Sequence, residues 1–424
     1  MFVKSVMPRF VKNSRGEKSI EIELKTYEGK FKCSAPSGKS MGKSEVACWN
    51  KRGIDYSMRL LRVFCKGLTG KNFIIKKVDD LKGLNEMMRK FENTYEEFGG
   101  NAWYAMEGVF LKATARNCGK ELWEFINDDV NDGRKPKMPM PVGNCMGGGL
   151  HSKLVKGKRP DFQEFLLIGD EKTYGKAITK NIRAYMYAKR LLAQKSLGGL
   201  GVWGFGGLGR FRGWKKLRND EGAWRTSLSN EEVLEILKKV AKKYDLRIGL
   251  DVASSSFYRN GYYTYKNKSL IRDKADQADY ILKLIRKFEI FYVEDGMDED
   301  DFSGFKSLMN GICEMGKKSL IVGDDLTTTN LDRVQRAVRG KAINAMIIKP
   351  NQIGSILEVK KVVEYCKKNN IVMIFSHRSG ETMDDILADY CVGFGGDFLK
   401  AGIYGRERLI KHRRVMMIEK SLNR

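Results

Sequence analysis

The sequence predicts a closed eight-stranded α/β barrel with a smaller α+β domain on its N-terminal side. Three observations predict it. Beyond about residue 137, eight apolar runs of strand length alternate with helical patterns. The ends of most of these runs carry chemistry: Asp251 in GLDVA, Glu294 in FYVEDG, Asp324 in LIVGDD, Lys349 in MIIKPNQ, His377 to Ser379 in IFSHRSGE and Lys400 in FLKAG. Successive stations lie roughly 20–45 residues apart, the length of a strand and a returning helix. A barrel that keeps its reactive groups at one mouth produces this spacing.

In chain order, residues 1 to about 35 read as antiparallel strands. Ile20, Ile22 and Leu24 alternate with Glu21, Glu23 and Lys25, giving one apolar and one wet face. The loop Pro36-Ser37-Gly38-Lys39-Ser40-Met41-Gly42 follows, and helical periodicity then runs to about Asn127. NDDVNDGRKPKMPMP holds three of only seven prolines, so the domain boundary is expected there, separating 1–128 from 137–424. The candidate barrel strands are 138–144, 162–168, 247–252, 291–294, 319–324, 345–349, 371–376 and 398–400. One helix is especially legible. Ser229 and Glu232 make a capping-box pattern, and Val233, Ile236, Leu237 and Val240 follow as an apolar stripe that belongs to the core.

At 424 residues, with 42% hydrophobic and 10% aromatic content, the chain can bury a large core, which excludes wholesale disorder. No apolar run approaches a membrane span, and MFVKSVMPRFVKNSRG lacks the apolar stretch of a signal peptide. The eight cysteines are far apart and form no CxxC pair, so reduced structural thiols in a cytoplasmic protein are expected. The net charge of +26 raises the question of a nucleic-acid partner. The basic residues are spread along the whole chain, however, and Lys outnumbers Arg. A solvated basic surface that steers an anionic substrate is the favoured reading.

Two nucleotide-motif lookalikes are set aside. Gly38 to Ser44 is one residue short of a P-loop, and Gly199-Leu200-Gly201-Val202-Trp203-Gly204 follows a helical pattern where a strand is required. The three acids are a stronger signal. A single carboxylate ending a strand is ordinarily a helix cap or an ion-pair partner. Three on separate strands form an all-oxygen donor set that suits Mg²⁺ and leaves positions for substrate. Lys349 ends an apolar run, and burial beside positive charge is expected to lower its pKa and make it a base. Lys400 would supply that charge, and Arg378 with Ser379 suits a phosphate. His151, after a glycine run, and His377 stand in loop-like positions, whereas His412 lies in a basic helical tail.

SRG at Ser14–Gly16, PSGKSMG, FQEFLLI, NDEGAW, GLDVASSSFY, VEDG, VGDDLTTTN, IKPNQIGS, SHRSGET and FLKAG occur in the order found in enolase, the phosphopyruvate hydratase. The chain resembles that family, in an archaeal-like form, from its first strand to its last helix. The resemblance implies an α+β cap on a barrel with an irregular first half. It implies two Mg²⁺ per active site, with Asp251, Glu294 and Asp324 on the first and Ser40 on the second. It gives Lys349 as base, Glu221 as a general acid kept protonated and Glu164 as its support. His151, Gln163, His377, Arg378, Ser379 and Lys400 fall on positions that contact 2-phosphoglycerate or phosphoenolpyruvate.

The chain departs from the common pattern in three places, one of them AGIYGRERL, which replaces the usual small-residue loop near the C-terminus and is shorter. Gly198–Arg218, before Glu221, is long, basic and rich in glycine and aromatics, and reads as a packing insertion, a lid or an RNA-binding arm. Met417 stands where many members place an arginine that pairs across a dimer, although a homo-oligomer, dimer or higher, is still expected. Two other readings remain open here. One is another proton-abstracting enzyme of the superfamily, against which FQEF stands in place of KxK. The other is a non-catalytic RNA-associated paralogue.

Overall fold

A computed structural model describes residues 1–39, 41–196 and 217–423. The chain opens as an antiparallel meander of β1 (Ser5–Lys12), β2 (Lys18–Lys25) and β3 (Lys30–Ser34). Ile20, Ile22 and Leu24 are fully buried, as the alternation requires. The opposite face is drier than expected at one point. Glu23 is also buried, beneath Arg9 at 3.2 Å and Lys30 at 3.1 Å, because long cationic side chains from the flanking strands fold over it. Helices α1 (Ile54–Lys66), α2 (Lys82–Thr94), α3 (Gly100–Asn117) and α4 (Leu122–Asn131) follow. Helix α3 is buried on nearly every side and packs on β2 and β3.

The remainder builds the barrel from β4 (Met140–Gly147), β5 (Glu164–Ile168), β7 (Arg247–Asp251), β11 (Ile290–Glu294), β12 (Leu320–Gly323), β13 (Ala345–Ile348), β14 (Val372–Ser376) and β15 (Phe398–Lys400). The short β6 (Trp224–Arg225) pairs with β4 outside the ring, and β8 (Tyr258–Arg259), β9 (Tyr262–Tyr265) and β10 (Leu270–Arg272) form a separate three-stranded sheet. Around the ring the order is β4, β5, β7, β11, β12, β13, β14, β15, and β15 returns to β4 through Phe398 opposite Met140. All eight expected strands are present. One runs against the rest: β5 is antiparallel to both β4 and β7. The outer helices are α5 (Tyr174–Ser196), α6 (Asn230–Tyr244), α7 (Lys274–Phe288), α8 (Phe302–Glu314), α9 (Leu331–Arg339), α10 (Pro350–Ile353), α11 (Ile356–Lys368), α12 (Ile386–Gly393) and α13 (Arg406–Leu422). The capping box at α6 forms, with Ser229 N–H donating to Glu232 at 2.9 Å.

Two apolar clusters fill the fold. A small one, with Val142, Leu166, Ile168, Tyr292, Val322, Ile347, Ile374 and Phe398, occupies the barrel interior. The larger joins the outer helices to the N-terminal sheet and helices, and takes the alternate barrel residues such as Phe165, Leu167 and Val293. All eight cysteines are free thiols, and six of them are buried.

Glu107 on α3 ties the two parts of the chain together. It is fully buried, and its carboxylate accepts the Ile356 N–H at 2.6 Å, at the start of α11. Burial outweighs this bond and the contacts with Ser355 and Asn85, pushing its pKa up to about 7. The stability this group contributes is therefore complete below about pH 4.5 and is lost as pH rises through 7. Glu107→Gln is expected to remove that loss, a difference of about 3 kcal/mol above pH 7. Thermal melts of parent and variant at pH 5 and pH 8 check it. Equal gaps between the two proteins at both pH values would contradict it.

Candidate active site

A period of two carries each barrel strand from its buried core to its chemistry. On β11 the inward-facing Tyr292 is followed two residues later by Glu294, and on β12 Leu320 and Val322 lead to Asp324. Ala345 and Ile347 lead to Lys349, Phe398 to Lys400, and Gly249 to Asp251. The reversed β5 does the same in the opposite sense. Ile168 and Leu166 point inward at its far end, and Glu164 opens it, directly opposite Asp251 in the register. The reversal explains how FQEF delivers Gln163 and Glu164 to the rim from the start of a strand.

One pocket is lined by His151, Gln163, Glu164, Glu221, Asp251, Asp324, Lys349, His377, Arg378, Ser379 and Lys400, together with Asp295 and Asp325. Glu294 lies beneath them, fully buried. Ser40 and most of Gly198–Arg218 lie outside the described residues, so the readings placed on them have no structural counterpart here.

Lys400 reaches across the barrel. Its Nζ lies 3.0 Å from Glu164, 3.1 Å from Asp251 and 2.7 Å from Glu294, and these acids hold its pKa well above the ordinary lysine value against the effect of burial. Burial, then Asp251, pushes Glu294 up to about 8. Lys349 donates to Asp324, whose other oxygen accepts from Gln352 at 3.2 Å. The expectation that Lys349 has a lowered pKa is not met. Burial does press it down, but the Asp324 carboxylate in direct contact more than offsets this, so Lys349 is raised and held as an ammonium.

Glu221 stands between two histidines, with its oxygens 3.2 Å from His151 Nδ1 and 3.7 Å from His377 Nε2, and Asn144 donates to it at 3.3 Å. Glu164 is its buried carboxyl neighbour. Burial and the Glu221 charge raise Glu164 well above the carboxylate range. Against its own burial, the bond from Glu164 and the two histidines pull Glu221 well below that range. The two carboxyls are thus pushed in opposite directions, Glu164 toward and Glu221 away from the protonated form, whereas the sequence reading had Glu221 itself protonated.

Several residues that position the site carried little sequence signal. Glu45, from the segment after the Pro36–Gly42 loop, takes the Arg378 guanidinium at 2.9 Å, and Asn351 takes its other arm at 3.2 Å. Arg15, within SRG, donates to the Ser379 hydroxyl and also approaches the carbonyls of Ser37 and Gly38. Asp295 accepts the N–H groups of Asp324 and Asp325 at 3.0 and 2.8 Å, fixing that turn. Asn351 and Arg15 lay inside quoted motifs, but Glu45 lay just beyond one.

Among the described residues, oxygens of Asp295, Asp324 and Asp325 approach within 4.8 Å of one another, as do ligand atoms of His151, Glu164 and Glu221. The first set offers only carboxylates, the donor chemistry of a hard divalent cation. Asp251 and Glu294 meet on Lys400 and Asp324 on Lys349, so cations already sit among the acids.

A family model described as the C-terminal TIM barrel domain of enolase matches residues 135–424, and the enolase N-terminal domain model matches 3–126. The chain belongs to the enolase family. The enolase of Picrophilus torridus is 33% identical over 99% of both chains. That of Thermoplasma acidophilum is 33% identical over 99% of this chain and 98% of its own, and that of Methanosphaera stadtmanae 32% over 99% and 97%. As an enolase the chain is a lyase, a phosphopyruvate hydratase whose carboxylate-lined barrel mouth suits a divalent metal. Among the described residues, no helix is long and apolar enough to cross a membrane.

Proposed function

We propose that the chain catalyses the reversible, Mg²⁺-dependent dehydration of 2-phosphoglycerate to phosphoenolpyruvate in the cytoplasm, as a step of glycolysis and gluconeogenesis. The observation that carries the proposal is the position of two proton-handling groups. In the eight-strand order, β13, which Lys349 directly follows, and β5, which begins at Glu164, are four strands apart and therefore face each other across the mouth. A substrate between them loses its C2 proton to one wall and its 3-hydroxyl to the other.

Lys349 Nζ takes the C2 proton, and the proton held by the Glu164–Glu221 pair leaves with the 3-hydroxyl as water while the C2–C3 double bond forms. For that step Glu221 is the acid in contact with the hydroxyl, supplied by Glu164. Two Mg²⁺, one held by Asp251, Glu294 and Asp324 and one by Ser40, would place positive charge on the substrate carboxylate and so acidify C2–H. Stabilisation of a carbanion by bound Mg²⁺ is general chemistry of the enolase superfamily. Lys400 adds a fixed cation to the same carboxylate. Arg378 and Ser379 hold the phosphate, and His151, Gln163 and His377 orient the remaining oxygens. A cation held by Asp324 would take from Lys349 the partner that keeps it protonated. The same reading treats 1–128 as a cap on a 137–424 catalytic barrel and the working unit as a homo-oligomer, dimer or higher.

Formation of phosphoenolpyruvate from 2-phosphoglycerate, followed at its ultraviolet absorbance, is expected in Mg²⁺ and is expected to vanish on chelation. Turnover unaffected by a chelator would remove the metal from the proposal. Absence of product under saturating Mg²⁺ would remove the function.

A further inference from the structure

Arg408, on the first turn of α13, is the largest side chain among the described residues buried below two per cent exposure. Among the described residues, no carboxylate oxygen lies within 4.0 Å of its guanidinium, although every other buried cation around the mouth has one. Burying an arginine without an acid is costly, so its placement needs a reason. Its contacts supply one. One arm donates to His377 Nδ1 and, at 3.4 Å, to the Arg378 carbonyl. The other donates to the carbonyls of Ser379 at 3.0 Å and Asp220 at 3.2 Å. Gly402 leaves room for the stem, since a Cβ there would stand 2.7 Å from Arg408 Cδ. The guanidinium lies behind His377, outside the residues that line the pocket.

An arginine donates and never accepts. The contact therefore assigns His377 Nδ1 as the acceptor and puts the ring proton on Nε2, the atom 3.7 Å from Glu221. The Asp220 contact pins the residue next to Glu221 to the same guanidinium, so one side chain joins the loop after β14 to the loop that carries the proton-donating carboxyl. We propose that Arg408 is a positioning residue for the proton-donating side of the site, holding His377 as its Nε2–H tautomer toward Glu221 and clamping the Asp220–Glu221 backbone to the His377–Ser379 loop. This rests on the dehydration reading for the role of Glu221, but its signature does not depend on activity.

The chain has only three histidines, so ¹⁵N-histidine labelling gives few ring signals to assign. In the parent protein His377 is expected as the Nε2–H tautomer alone. A parent His377 protonated on Nδ1 overturns the proposal without any variant, whatever the enzyme's activity. In Arg408→Met the Nδ1 signal is expected to move toward the protonated form. At the same time kcat is expected to fall about 10- to 100-fold with KM changed less than about threefold. Arg408→Lys, which keeps a cation and a donor, is expected to restore the parent tautomer and most of kcat. A folded Met variant with an unchanged His377 spectrum, or with kcat within about threefold of the parent, contradicts the proposal. So does a Lys variant that restores stability but neither the tautomer nor kcat. Loss of activity in the parent itself would count against the dehydration reading and leave the tautomer result standing.

Discussion

Lys349→Ala is expected to lower kcat by about 10³-fold or more while the protein stays folded and keeps its affinity for a divalent metal. The lysine directly follows β13 with 15% of its side chain exposed, contacts Asp324, and stands across the ring from the Glu164–Glu221 pair. Removing it frees Asp324 rather than stranding it, because a bound divalent cation would satisfy the carboxylate. Steady-state kinetics at saturating Mg²⁺, with circular dichroism for the fold, checks the expectation. Activity within about tenfold of the parent, a loss of only ~1.4 kcal/mol of transition-state stabilisation, would remove Lys349 as the base.

Asp324→Asn is expected to weaken divalent metal binding by at least about tenfold, because a hard cation loses one full charge from its oxygen donors. The turn itself should survive. It is held by Asp295 accepting the backbone N–H groups of residues 324 and 325, and asparagine keeps both. Asparagine also deprives Lys349 of its ion-pair partner, so activity alone does not separate the two effects. Calorimetric titration with Mg²⁺ in the absence of substrate does, since it reads affinity directly. Unchanged affinity would move Asp324 out of the ligand set.

Much of the scaffold was legible because it is written locally. Strand-length apolar runs marked all eight barrel strands, and Ser229 with Glu232 marked a helix start that the structure forms with its capping bonds. The gathering of the strand-end groups follows from the two-residue alternation that turns Tyr292 and Glu294, or Ile347 and Lys349, toward the same interior. The wet face expected for β2 was less legible. The alternation pointed Glu23 outward correctly, but Arg9 and Lys30 come from neighbouring strands, and their long side chains bury it.

By itself the sequence determined the strand count and the order of the reactive groups along the chain, because these depend on composition and spacing within a few tens of residues, and its ordered motifs carried the resemblance to the family. The tertiary structure decided the rest. It reversed β5, bringing Glu164 beside Asp251, and it set Glu45 against Arg378 and Arg408 against His377 across hundreds of residues of chain in the first case. It also set the direction in which burial and neighbouring charges move the proton affinities. Lys349 was read as a lowered lysine from its apolar neighbours, and Glu221 as a protonated acid. Contact with Asp324 raises the first, and contact with Glu164 and two histidines lowers the second. Burial is partly visible in a run of apolar letters, but charge–charge energy varies inversely with distance, and distance between remote residues exists only once the chain has folded.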